Sequence, residues 1–115
     1  MSQLVIEVTD DELGLTDATN TPEKFKLNQN YPNPFNPSTQ ISFDVPVSSD
    51  QVILTIYNVL GQNVNVLAND IMNAGTYTLE WNATDQMGSP VSSGIYFYEL
   101  RTKSFTSRKK MLLIR

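Results

Sequence analysis

A chain of 115 residues buries enough apolar surface for one domain and too little for two comfortable ones. It contains no Cys and no His, which excludes disulfides and thiolate metal sites and removes the commonest general base, so enzyme chemistry ranks last and no catalytic residue, metal or cofactor is expected. The formal charge of −4 is uneven: residues 1–23 carry six acids and no base, residues 24–98 a net −3, and residues 99–115 six bases and one acid. A basic end on an acidic chain suits a receptor or an anionic surface, or is simply the solvated face of a strand. No nucleic-acid partner is expected, and no window is apolar for long enough to span a membrane.

The first residues read as the tail of something larger. SQLVIEV alternates like a strand, with Leu4, Ile6 and Val8 on one side, and lacks the basic start and apolar run of a signal peptide. The acidic, Thr-rich stretch DDELGLTDATNTPE follows without a period, as a linker would. Residues 1–24 are therefore assigned to the end of a preceding domain plus linker, and a signal peptide is expected upstream in the parent. Asp10, Asp11, Glu12 and Asp17 lack the spacing and glycine of a calcium loop.

From Phe25 to Arg115 the pattern is short apolar alternations divided by turn residues. KFKLNQ is a short edge strand. After it comes NYPNPFNPS, with three of the chain's six prolines. Each proline fixes φ and removes a backbone donor, so the segment is neither helix nor central strand and is expected to form an extended, preformed ledge. TQISFDVP then places Ile41, Phe43 and Val45 on one face before Pro46 closes it. QVILTIYNV does the same with Val52, Leu54 and Ile56, and Gly61 marks the turn into QNVNVLAN, which alternates through Val64 and Val66.

TYTLEWN puts Tyr77, Leu79 and Trp81 on one face, with Trp81 the expected central core aromatic. Gly88 and Gly94 supply turns, Asn82 to Thr84 reads as a turn too, and GIYFYELRT and SFTSRKKMLLIR are the last strands. The result is seven strands with no helical period: an all-β, antiparallel, immunoglobulin-like sandwich without its disulfide.

Four stretches in fixed order carry a further resemblance: FKLNQNYPNPFNPST, IYNVLGQNV, AGTYTLEWNATDQMGSPVSSGIYFYEL and RKKMLLIR. Together they resemble the C-terminal type A sorting domain of cargo proteins exported by the type IX secretion system of diderm bacteria. They are also similar to the immunoglobulin-like domain of flagellar hook-capping proteins. Tandem Asn-Pro pairs flanked by Tyr and Phe are the most specific of these signals. One departure is small: members often end in Lys, where this chain has Arg115.

The resemblance implies a domain without catalysis of its own, covalently attached to an upstream passenger. The outer-membrane machinery would read it as an address on the way from the periplasm to the cell surface or medium. It also implies a surface peptidase that cuts in the linker, here within Leu13 to Lys24. The expected recognition residues are the ledge, Tyr31, Pro32, Asn33, Pro34, Phe35, Asn36 and Pro37, followed by Gly94 and Tyr96 and by the cations Arg108, Lys109, Lys110 and Arg115.

A rigid ledge and a terminal strand have little to lose in order on binding, and an edge strand can be received by strand addition. Plain structural readings stand beside these. Tyr31 and Phe35 would plug the end of the sandwich, Gly94 and Tyr96 would be a turn feeding a core strand, and the cations would solubilise an edge. A monomer is expected. Alternatives are a carbohydrate-binding or adhesive module, which needs Tyr57, Tyr96 and Tyr98 exposed on a flat face, and a hook-cap or filament subunit, which needs an exposed apolar patch.

Overall fold

The computed structural model describes residues 21–48 and 51–115; the strand expected at SQLVIEV and most of the acidic linker lie outside the described residues. Seven strands follow in the expected order: β1 (Lys26–Leu27), β2 (Thr39–Val45), β3 (Val52–Tyr57), β4 (Asn63–Asp70), β5 (Gly75–Trp81), β6 (Gly94–Arg101) and β7 (Thr106–Leu113). They form a three-stranded sheet, β1-β2-β5, facing a four-stranded sheet, β4-β3-β6-β7, with every strand pair antiparallel. The fold is an immunoglobulin-like sandwich.

Side-chain alternation explains the core. Ile41, Phe43 and Val45 of β2 and Val52, Leu54 and Ile56 of β3 are all fully buried, as are Tyr98 and Leu100 of β6. Their neighbours in sequence point the other way. Each such side chain contributes roughly 1.5–3 kcal/mol of burial, which is what holds a domain without disulfides together. Trp81 lies among them, its indole N–H donating to the Thr84 carbonyl at 2.9 Å.

Two strands depart from the sequence reading. β1 is only two residues long: beyond Leu27 the ladder continues only as the bond from Asn28 N–H to Ser42 O, and the chain meets β2 again at Tyr31. In β4 the expected Val64 and Val66 row is broken. Register shifts against β3 fall between Leu54 and Thr55 and between Ile56 and Tyr57, leaving Leu67 and Val64 as the extra residues. Each bulge turns its extra side chain by one step, so Val64 and Leu67 pack on the core and Val66 does not.

Candidate recognition site

The proline segment does not run straight. Tyr31 is bridged to Gln40 of β2, with the two residues exchanging backbone hydrogen bonds of 2.9 Å, and Phe35 is bridged in parallel to Leu113 of β7. These anchors lie in different sheets, so the chain between them has to cross the end of the sandwich, and it bends at 32–34 and again at 36–37. The Tyr31-Pro32, Asn33-Pro34 and Asn36-Pro37 peptide bonds are cis. An extended ledge was expected; a bent strap is found, because two sheets compete for its ends.

Side chains hold the strap from below. Buried Asn30 donates from its amide group to Thr39 Oγ1 at 2.9 Å and to Pro32 O at 3.1 Å, while the Thr39 hydroxyl donates to the same carbonyl at 2.8 Å. Its backbone N–H donates to Tyr98 Oη at 2.8 Å, and that hydroxyl donates to Asn28 O at 2.7 Å. Burial pushes the Tyr98 phenol up to about 12, against a smaller opposing effect of the Asn30 N–H. Because the folded value lies above the unfolded one, the neutral phenol's contribution is fully present below pH 10 and is lost between pH 10 and 12. Alkaline unfolding followed by tyrosine absorbance should show stability falling by up to about 3 kcal/mol across that window. Tyr98→Phe should flatten the fall.

The strap also covers the outer edge of β7. Phe35 N–H donates to Leu112 O at 3.0 Å, Ile114 N–H donates to Phe35 O at 2.9 Å, and Leu112 N–H donates to Asn33 Oδ1 at 3.0 Å. Gln29 Nε2 adds a bond to Lys110 O at 2.8 Å. Strand addition at the extreme end, one of the expectations above, therefore finds that end already taken in the folded domain. Residues about eighty positions apart become one surface through these bonds.

The expected recognition residues divide sharply on this frame. Tyr31 is 80% exposed, and Pro32, Asn33, Pro34, Asn36 and Pro37 are exposed beside it. Phe35 is 2% exposed, its ring 5.8 Å from that of Trp81, and Tyr96 packs edge-on against the same indole at 5.3 Å. In the folded domain those two aromatics are core. Since Tyr98 is buried too, the flat tyrosine face of a carbohydrate-binding module is not formed.

Gly94 opens β6 with φ +153°, a backbone region closed to other residues, although a Cβ there would meet no atom within 4 Å. Its role is thus conformational. Gly94→Ala should cost about 1–3 kcal/mol, read as a lowered urea midpoint with an unchanged slope.

Alternation divides the basic run. Arg108 and Lys110 stand on the outer face, and half-buried Lys109 lies on the inward row with Met111 and Leu113. The Arg108 guanidinium sits 5.0 Å over the Tyr57 ring and 3.4 Å from Glu99, which also holds Arg101 at 3.1 Å. Arg115 donates to Val91 O at 2.6 Å and to Ala83 O at 2.9 Å, pinning the loop before β6. Lys110 borders a groove of about 210 Å³ with Asn33 of the strap, Ile95, Met111 and Leu112. Ile95 and Leu112, 41% and 37% exposed, were not picked out from sequence. Their alternation with buried Tyr96, Met111 and Leu113 would have found them. Among the described residues no group of three or more acidic, His or Cys side chains could hold a metal.

What the fold and surface define is an immunoglobulin-like module whose last strand is clasped by a proline strap. The family model for the secretion system C-terminal sorting domain matches residues 29–114, from Gln29 at the start of the strap to Ile114 beyond β7. The chain belongs to that family, as its four sequence stretches implied. Solved structures agree in fold. PorU of Porphyromonas gingivalis, in a dimeric latent form, is 19% identical with a TM-score of 0.61 over 95% of this chain. PorZ of the same organism, an essential surface component of its type IX secretion system, is 20% identical with a TM-score of 0.54 over 76%. FlgD from P. aeruginosa is 26% identical with a TM-score of 0.51 over 65%. The chain spans about a tenth of PorU and PorZ, 10% and 11%, and 57% of FlgD. No curated protein matches it. A domain of this family marks the protein as secreted or cell-surface.

Proposed function

We propose that this domain is the address of a passenger joined upstream, read by the type IX outer-membrane machinery through the exposed half of the strap and the outer face of β7. The observation that carries this reading is the clasp itself. It fixes Tyr31, Asn33, Lys110 and Leu112 in one rigid surface that owes nothing to the passenger. A receptor serving many passengers needs such a feature, and a surface already ordered loses little entropy on binding. Cutting by a surface peptidase within Leu13 to Lys24 would then free the passenger. The domain has no catalytic part in this scheme.

The test is a fluorescent protein placed ahead of the whole chain, behind an inner-membrane signal peptide, in bacteria with and without a working type IX system. Surface delivery only in the competent strain is expected. The pair Tyr31→Ala and Lys110→Ala should reduce delivery while leaving the melting temperature unchanged, since both side chains are exposed. N-terminal sequencing of the retained fragment locates the cut. Delivery in both strains, or periplasmic retention of a folded domain in both, would sink the proposal.

A further inference from the structure

Of the four edge strands, three are blunted. β1 is two residues long, β7 is clasped by the strap and Gln29 from Lys110 to its end, and β4 is bulged twice and capped where Gln86 N–H donates to Val64 O. β5 has no such device. Its seven residues pair with β2 in unbroken register, from Thr39 opposite Trp81 to Val45 opposite Gly75. On β2, Gln40 and Ser42 bond away from β5, to Tyr31 and Asn28. The residues between them, Ile41 and Phe43, therefore bond β5 through Leu79 and Tyr77. The backbone groups of Thr76, Thr78 and Glu80 must then face outward, and among the described residues none of them has a partner. A regular, unbulged edge of this kind is a template for another strand.

We propose that the β5 edge pairs antiparallel with the β5 edge of a second copy, about a twofold axis at Thr78, joining two three-stranded sheets into one continuous sheet. The sequence around that axis is self-complementary. Thr78 meets Thr78, Thr76 meets Glu80, and on the inward row Tyr77 meets Leu79, so hydroxyls, a carboxylate and apolar groups all find suitable neighbours. No like charges stand opposite one another, whereas an axis at Glu80 would oppose two carboxylates. Half-exposed Tyr77 and Leu79, on the open side of the sandwich, are covered at the same time. This inference runs against the monomer expected from sequence and does not depend on the sorting reading.

The chain has no cysteine, which makes a cross-linking test clean. Directly opposed residues of a hydrogen-bonded pair have Cα atoms about 5.5 Å apart, within disulfide reach. The purified 115-residue chain carrying Thr78→Cys should therefore form a disulfide dimer on mild oxidation, and Thr76→Cys, whose opposite number is Glu80, should do so at least about tenfold more slowly. Sedimentation of the unmodified chain should show a concentration-dependent dimer. Thr78→Lys places two ammonium groups across the axis at an exposed position, and should weaken that dimer by about tenfold or more without changing the circular dichroism. A chain that stays monomeric into the millimolar range, a dimer indifferent to Thr78→Lys, or equal cross-linking of the two cysteine variants would each overturn the proposal.

Discussion

Phe35→Ala is expected to lower the unfolding free energy by about 3–5 kcal/mol, although the residue sits in a proline-rich connection between strands. The reason is its ring, 2% exposed and 5.8 Å from Trp81, in a region where removal leaves a cavity that neither sheet can collapse to fill. Tyr31→Ala, four positions earlier, removes a side chain that is 80% exposed and should change stability by less than about 0.5 kcal/mol. Urea denaturation of the two variants checks the contrast directly. If both shift the midpoint little, the strap does not plug the sandwich. Export of Phe35→Ala would report on folding, whereas export of Tyr31→Ala would report on recognition.

Removing Leu113, Ile114 and Arg115 is expected to have the larger effect. Leu113 is fully buried, and losing a side chain of that kind costs about 2–5 kcal/mol by itself. The truncation also removes the Ile114 bond to Phe35 O and the Arg115 bonds to Val91 O, Ala83 O and Ser93 Oγ. Hydrogen bonds of this sort add about 0.5–1.5 kcal/mol each, which brings the sum near the whole stability of a small domain, roughly 5–15 kcal/mol. Loss of the cooperative thermal transition is the expected observation. A sharp transition close to the full-length melting temperature would show that the clasp is dispensable. One consequence bears on sorting: a truncated end that fails to export has lost its fold as well as its terminal residues, so only surface substitutions separate the two causes.

Much of the fold was legible because burial in a sandwich has period two. Ile41, Phe43 and Val45, then Val52, Leu54 and Ile56, stand at the alternate positions their strands require, and each is fully buried. β4 escaped that reading, since a bulge inserts one residue and shifts the parity, and nothing local in QNVNVLAN marks where it falls. The strap was legible as stiff but not as bent. Proline restricts its own residue and the one before it, while the direction of the segment is set by Gln40 and Leu113, which belong to opposite sheets.

The candidate site followed the same division. Tandem Asn-Pro pairs and the terminal basic strand could be singled out as residue types at fixed spacing, and they sufficed to indicate the family. Alternation alone turns Lys109 inward and Arg108 and Lys110 outward, but the partners of the cations could not be read from sequence. Arg108 lies over Tyr57, Arg115 bonds two carbonyls and Lys110 borders the groove, and each of those outcomes depends on a neighbour distant along the chain.

By itself, then, the sequence determined the class of fold, the strand order, the core rows of β2 and β3 and the family, because these rest on local periodicity and on motifs read within a few residues. Only the tertiary structure decided that the strap and the last strand are one unit, that Phe35 and Tyr96 are core while Tyr31 and Lys110 are surface, and that β5 is the edge left open. Those properties arise from contacts between residues that are not neighbours along the chain, and a hydrogen bond such as that from Leu112 N–H to Asn33 Oδ1 leaves no periodic trace in either segment.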